Sequence, residues 1–182
     1  MVYVIGGIVL IGAFVFFMYS TLNHRKSEAD MIVEQIENEV NQKYSIMYDL
    51  INKFKDSLIF EREHFEELYD LIDDSKRALN LFEKEEIEKR ISDKFAEIFS
   101  FIDDFPELKE DGEIQSEKKK LTEMEHEISG LKERYNKIVS QYNNIIEMFP
   151  ILFEVFGRYK KKEKFSLKND ADGFDISEML NG

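Results

Sequence analysis

The amino-acid sequence predicts an all-α protein: an N-terminal transmembrane helix followed by an antiparallel bundle of long helices. Three observations predict this fold. An uncharged apolar run opens the chain, neither Gly nor Pro occurs from Ala13 to Phe105, and apolar residues recur three and four positions apart. Amphipathic helices must bury their apolar stripes against one another, and the length of 182 residues suits a single bundle with appendages.

Composition and charge exclude several classes of protein. With 43 % hydrophobic and 35 % charged residues, the chain is too apolar to be disordered. Residues 1–26 hold no acid and two bases, so residues 27–182 carry 23 bases against 38 acids. Such an excess of negative charge repels phosphate backbones, and we expect no nucleic-acid partner. The lack of cysteine excludes disulfides and thiolate metal sites.

The N-terminal run from Val2 to Tyr19 has 18 residues, VYVIGGIVLIGAFVFFMY. As a helix it rises about 27 Å, close to the roughly 30 Å of a hydrocarbon core. The alternative, a cleaved signal peptide, requires a basic start and small residues before the cleavage site. Here the start is uncharged and Phe17, Met18 and Tyr19 are bulky. Residues 2–19 are therefore predicted to be an uncleaved anchor in contact with membrane lipid.

The charges beside this run indicate its orientation. Arg25 and Lys26 both follow it, and basic flanks stay preferentially in the cytoplasm. We therefore expect the N-terminus outside and the C-terminal domain in the cytoplasm.

The first amphipathic stripe has gaps of three and four and comprises Val33, Ile36, Val40, Tyr44, Met47, Ile51, Phe54 and Leu58. A second group continues the pattern with Phe65, Leu68, Tyr69 and Ile72, but Glu61 stands where an apolar residue is due. The residues alone leave two possibilities open. Either the helix turns back near Glu61, or it runs on with a polar notch.

Two further helices follow. One carries the stripe Ile87, Ile91, Phe95, Ile98, Ile102 and Phe105. It is predicted to end at Asp103-Asp104-Phe105-Pro106, since proline disfavours helical geometry in the residue before it, and Asp111-Gly112 then indicates a loop. The clearest helix is predicted from about Glu113 to Phe149, where Pro150 closes it. Its unbroken stripe is Leu121, Met124, Ile128, Leu131, Tyr135, Ile138, Tyr142, Ile145 and Phe149.

The motifs around this helix resemble the LemA family in order and spacing, over roughly residues 95–165. They are Phe105-Pro106-Glu107-Leu108-Lys109, Arg134-Tyr135-Asn136, Val139, Tyr142-Asn143, Phe149-Pro150 and Phe156-Gly157. Upstream, Tyr48-Asp49-Leu50-Ile51 is similar to the family's first-helix motif, although Asn52 stands where a proline usually follows. The resemblance implies a bacterial protein with one anchor in the inner membrane, its N-terminus outside and a cytoplasmic four-helix bundle. It implies no catalytic residues, because no activity is established for the family; some members are associated with envelope or intracellular-membrane organisation.

Together these features predict three segments: an anchor with its flank (1–26), a helical bundle (27–157), and a flexible tail that is basic and then acidic (158–182). The predicted function is non-enzymatic. The bundle would serve as a cytoplasmic scaffold for protein–protein interaction or membrane organisation, with a protein partner, no cofactor and no small-molecule substrate. The alternative is an extracytoplasmic envelope-stress or sensory protein with the same bundle outside the cytoplasm.

Two sequence patterns are similar to metal-binding motifs but do not fit them. Glu61-x-x-His64 and Glu123-x-x-His126 have the spacing of di-iron carboxylate bundles, but His126 lies opposite the apolar stripe of its helix and His64 lies beside its own stripe. Asn169–Gly173 hints at a calcium loop, yet the residues at the loop's first and last positions do not fit. We therefore predict no metal, cofactor or catalytic site.

Two groups of residues are candidate sites. Tyr135, Asn136, Tyr142 and Asn143 repeat at seven residues; they are expected either to fix helix register by hydrogen bonds or to form a partner-binding edge. A basic cluster after the apolar residues 151–156 is expected either to contact anionic lipid or to be simply solvated. Its members are Arg158, Lys160, Lys161, Lys162 and Lys164.

Overall fold

A computed structural model of the chain describes residues 1–55, 62–103, 105–106, 110–150 and 159–167. Its long helices are α1 (Val2–Lys55), α2 (Arg62–Arg77), α3 (Leu81–Asp103) and α4 (Gly112–Met148). Regular structure within the described ranges is helical throughout, so the all-α prediction is confirmed. The predicted bounds of the last two helices hold to within one residue, except that α3 begins well before its first stripe residue.

Side-chain caps explain where two of these helices begin. At α3, the Asn80 Oδ1 accepts a hydrogen bond from the Glu83 amide at 2.8 Å, while the Glu83 carboxylate accepts one from the Leu79 amide at 3.0 Å. At α4, the Asp111 Oδ1 accepts bonds from the amides of Glu113 and Ile114. These acceptors satisfy amides that have no partner inside the helix. The sequence pair Asp111-Gly112, predicted as a loop, is therefore a helix start.

The first amphipathic stripe belongs to two helices rather than one. Helix α1 ends at Lys55 and α2 begins at Arg62; Glu61 itself lies outside the described residues. The Tyr69 hydroxyl bonds the Asn52 side chain, and further along the pair Tyr44 contacts Ser75. As the residue number falls on α1 it rises on α2, so the two helices are antiparallel. The four-helix alternative is confirmed.

The chain divides into two compact units. The first consists of Met1–Glu34 and Arg134–Lys164. Its small core joins the start of α1 to the end of α4, through the buried residues Met18, Leu22, Tyr142 and Ile146. An ion pair of Arg134 with Glu28 and a ring contact of Phe149 with Phe14 show that these two helix segments are antiparallel.

The second unit consists of Gln35–Glu133 and the described residues from Phe165 onward. Its core takes apolar residues from all four helices: Tyr44, Met47, Leu50, Ile51, Phe65, Leu68, Leu71, Ile72, Ile91, Phe95, Ile98, Phe99, Ile114 and Leu121. Most of these were expected from the stripes. Cross-helix pairs show that α3 is parallel to α1 and α4 antiparallel to both, so directions alternate along the chain.

The start of α1 has the character of a membrane span. It is the one helix in the described part of the chain that is long and apolar enough to cross a bilayer. Its side chains point outward rather than into a core: Ile8 is 65 % exposed, Leu10 73 % and Phe16 73 %. Apolar surface of this extent requires an apolar environment, and lipid supplies it.

Gly130 lies in the interior of α4, where glycine costs about 1 kcal/mol relative to alanine. A Cβ at this position meets nothing within 4 Å. We therefore expect Gly130→Ala to raise the free energy of unfolding of the detergent-solubilised chain by up to about 1 kcal/mol. The measurement is helical circular dichroism during denaturant unfolding. A destabilised variant would show that the new methyl group meets a neighbour.

Candidate functional site

Residues 159–164, here called the C-terminal strap, lie along α4 without regular secondary structure. Three of the predicted site residues bind the backbone of the strap. The Tyr135 hydroxyl donates to the Glu163 carbonyl at 3.2 Å, and the Tyr142 hydroxyl donates to the Lys160 carbonyl at 3.1 Å. Asn143 makes two bonds of 2.9 Å, donating to the Lys162 carbonyl and accepting from its amide.

The seven-residue repeat of tyrosines matches the geometry of the strap. Tyr135 and Tyr142 are two helical turns apart, about 10.5 Å along α4. The carbonyls that they bind belong to Glu163 and Lys160, and three residues of extended chain span about 10 Å. An irregular segment has no internal partners for its amides and carbonyls, so side chains must supply them. The repeat thus presents hydrogen-bonding groups at the spacing that an extended chain needs.

The strap also contacts α1. The Lys162 Nζ lies 2.6 Å from a carboxylate oxygen of Asp30, and the Tyr159 hydroxyl donates to the Asn23 side chain at 2.8 Å. The ring of Tyr159 meets that of Tyr19 edge to face, with centroids 5.8 Å apart. The strap therefore connects the helix that follows the membrane span to the end of α4.

Burial, together with the negative charge of Asp30, raises the pKa of both Tyr135 and Tyr142 above the ordinary value. Both hydroxyls consequently keep their protons at neutral pH and remain hydrogen-bond donors to the strap.

The other candidate residues are Asn136 and the members of the basic cluster, and their surroundings differ from one another. Asn136 is half-buried, and its backbone carbonyl accepts a bond from the Ser140 hydroxyl. In the basic cluster, Lys161 pairs with Glu147 at 2.7 Å, whereas Lys160 and Lys164 are exposed. Arg158 lies outside the described residues. Residues 159–164 are the first described part of the segment that the sequence predicts as a tail, and they contact both α1 and α4.

A second polar arrangement lies in the second unit and is not predicted by the apolar stripes of the sequence. Lys43 is only 2 % exposed, and its Nζ lies 3.1 Å from a carboxylate oxygen of Glu125 and 4.0 Å from one of Glu88. Glu88 also accepts a bond of 3.0 Å from the Tyr44 hydroxyl and lies 3.8 Å from the Lys132 Nζ. This buried ionic cluster joins α1, α3 and α4.

The members of the cluster hold one another in the charged state. Burial alone would lower the pKa of Lys43, but the carboxylates of Glu88 and Glu125 outweigh it and raise that pKa above its ordinary value. Burial likewise opposes ionisation of Glu88, yet Lys43 and Lys132 keep the pKa of its carboxyl below the ordinary 4.5. Within the described residues, no buried side-chain nitrogen or oxygen lacks a hydrogen-bond partner.

A signal for the cluster was present in the sequence. Lys43 lies seven residues after Ile36 and seven before Leu50, and both of these are buried on α1. Glu88 lies seven residues before the buried Phe95. These charged residues therefore occupy core positions of their heptads. Because they are not apolar, they do not belong to the apolar stripes from which the core was predicted.

The residues of the two patterns that are similar to metal-binding motifs are only partly described by the structure. His126 is exposed on α4, and the described ranges hold no group of three or more residues that could bind a metal ion. Glu61, the side chain of His64 and the Asn169–Gly173 segment lie outside the described residues.

Comparison with known families now identifies the chain. A model of the LemA family matches residues 32–176. The chain belongs to the LemA family. No curated protein matches the sequence. The LemA match begins after the apolar run and extends upstream of the motif-rich region at residues 95–165, so it includes the part of α1 from residue 32 onward, where Asn52 stands in place of the expected proline.

The contribution of the strap contacts can be measured in this LemA-family protein by Asn143→Ala. The substitution removes two hydrogen bonds to Lys162, and we expect a loss of about 1–3 kcal/mol in the free energy of unfolding. The Lys162 amide should also exchange with deuterium faster. Asn144→Ala is the matched control, since Asn144 is the next residue and is exposed. Equal effects of the two variants would contradict the contacts.

The buried ionic cluster gives a second prediction. Lys43→Met retains the apolar stem but leaves Glu88 and Glu125 without their shared cation, so we expect a loss of about 3 kcal/mol. Adding Glu88→Gln should recover part of it, because one buried charge is then removed. Denaturant unfolding of the detergent-solubilised chain measures both effects. Lys89→Met, on the exposed face of α3, should change stability by less than about 0.5 kcal/mol; an equally small effect of Lys43→Met would contradict the role of the cluster.

Proposed function

We propose that this LemA-family protein is a single-pass inner-membrane protein that presents its helical bundle in the cytoplasm as a binding scaffold. The observation that carries the proposal is the continuity of α1. Its exposed apolar start and its buried amphipathic part form one helix, Val2–Lys55. The membrane span therefore continues without a break into the amphipathic part of α1, and the strap contacts this helix just after the span, at Asn23 and Asp30.

The cytoplasmic orientation is supported by Arg25 and Lys26, which follow the apolar run. Lys26 is exposed, and Arg25 pairs with Glu28 at 3.1 Å. The preference of basic flanks for the cytoplasmic side then directs residues 27–182 inward.

A role in binding rather than catalysis is supported by what the buried ionisable groups do. Lys43, Glu88 and Tyr44 are engaged with one another and stabilise their charges or protons mutually. A catalytic acid or base must instead exchange its proton near the working pH. The excess of acids in residues 27–182 favours a protein partner with a basic surface and disfavours nucleic acid.

The orientation is testable because the chain has no cysteine. Two single-cysteine variants are used: Ser116→Cys places a thiol at an exposed position in the bundle, and a Gly-Ser-Cys insertion between Met1 and Val2 places one before the apolar run. A membrane-impermeant maleimide applied to intact cells should label the thiol inserted before the apolar run. The thiol at position 116 should stay unlabelled until the cells are permeabilised.

The opposite result, labelling at position 116 in intact cells, would overturn the cytoplasmic placement and support an extracytoplasmic bundle. Full release of the chain from membranes by carbonate extraction would contradict the anchor itself.

A further inference from the structure

The end of helix α4 lies beside residues within the apolar run of α1, beyond Tyr19, the last residue of that run. The rings of Phe149 and Phe14 meet edge to face, with centroids 5.9 Å apart. Phe14 lies five residues inside the run from Tyr19, a rise of about 7.5 Å along the helix. Tyr159 returns to the level of Tyr19, where the two rings are in contact. The end of α4 is thus deeper along the anchor than the interfacial tyrosine.

A bilayer that covered only the residues up to Phe14 would leave the end of α4 outside the lipid, but this placement is unfavourable. All 18 residues rise about 27 Å, already slightly less than a typical hydrocarbon core of roughly 30 Å. Excluding the five residues from Val15 to Tyr19 would leave about 20 Å, a mismatch that costs free energy for every ångström. The whole run is therefore needed, and whatever packs beside Phe14 is brought to the bilayer.

The surface of α4 at this depth suits lipid. Met148 is 64 % exposed, and Ile145 and Phe149 are half-buried against the small core beside α1. Glu147, the last acid of the helix, is paired with Lys161 of the strap. Pairing reduces the cost of bringing this carboxylate close to the acyl region.

We propose that the end of α4 is a second bilayer contact. Met148 and Phe149 enter the boundary between headgroups and acyl chains beside the anchor, and Lys160 contacts the phosphate of an anionic glycerophospholipid. The inference rests on the proposed membrane span of residues 2–19 and specifies which other part of the chain the lipid touches.

The structure also distinguishes among the bases of the cluster. The strap runs antiparallel to α4: Tyr142 binds the carbonyl of Lys160, and Tyr135 binds that of Glu163. Lys160 is therefore nearer the bilayer than Lys164, by about 10 Å or more. Lys161 and Lys162 are already paired with Glu147 and Asp30, whereas Lys160 is exposed and makes no ion pair with a described residue.

The depth of Met148 can be measured on the full-length chain in vesicles of phosphatidylcholine and phosphatidylglycerol. Single variants Met148→Cys, Lys137→Cys and Phe17→Cys carry an environment-sensitive fluorophore, and a lipid with a doxyl group high on the acyl chain quenches it. Lys137 is the matched control: it is exposed and lies eleven residues earlier on nearly the same face of α4, about 16 Å away.

We expect strong quenching at positions 17 and 148 and little at position 137. Quenching at position 17, with position 148 no different from 137, would overturn the second contact while leaving the anchor in place. A lack of quenching at all three positions would overturn the anchor and this inference with it.

The lipid charge is tested with the label at position 148 and the doxyl group carried either by phosphatidylglycerol or by phosphatidylcholine. We expect the anionic lipid to quench the fluorescence at position 148 at least about twofold more strongly, because a lysine at the surface attracts this lipid. Lys160→Gln should bring the ratio close to one, and Lys164→Gln should leave it unchanged. A ratio insensitive to Lys160→Gln would exclude Lys160 as the headgroup contact.

Discussion

The length of the apolar run relative to the bilayer is the constraint on which the membrane end of this protein depends. Eighteen residues are barely enough to span, so the run must be submerged from end to end. Met18 and Leu22 are nevertheless buried against Tyr142 and Ile146 of α4. Protein packing therefore begins before the span has ended, and α4 is placed at the interface by the same contacts that form the core of the first unit.

The strap follows from a second constraint, the hydrogen-bonding requirement of backbone without regular structure. A chain that crosses a helix surface exposes amides and carbonyls that its own residues cannot satisfy. Two tyrosines and an asparagine on α4 meet that requirement, each at a position that the strap reaches in an extended conformation. The tyrosines also pack their rings, so the same side chains serve the apolar stripe and the polar strap.

Sequence periodicity predicts the helices well because burial of an apolar face is a regular property. Ile91, Phe95 and Ile98 are buried as their spacing requires. It fails where the structure is irregular or the core is charged. The strap carries no period, so its lysines indicate only a basic segment, and the partners Asp30 and Asn23 lie more than 130 positions away in the chain. Residues 56–61, between the two antiparallel helices, contain no Gly, Pro or Asn, and Asp56 and Ser57 are their only turn-favouring residues, so composition alone left the reversal open.

The buried ionic cluster bears on the register of the helices in the second unit. An apolar stripe with gaps of three and four repeats about every seven residues. A helix shifted by one heptad would therefore still bury much of its apolar surface. A shift of seven residues would separate Lys43 from both Glu88 and Glu125 and leave buried charges unpaired, which is costly. Because Lys43 contacts one carboxylate on α3 and another on α4, a slip of either helix past α1 breaks at least one of the two pairs. We therefore expect the cluster to disfavour heptad-shifted registers of the second unit, because in them apolar burial is not matched by charge pairing.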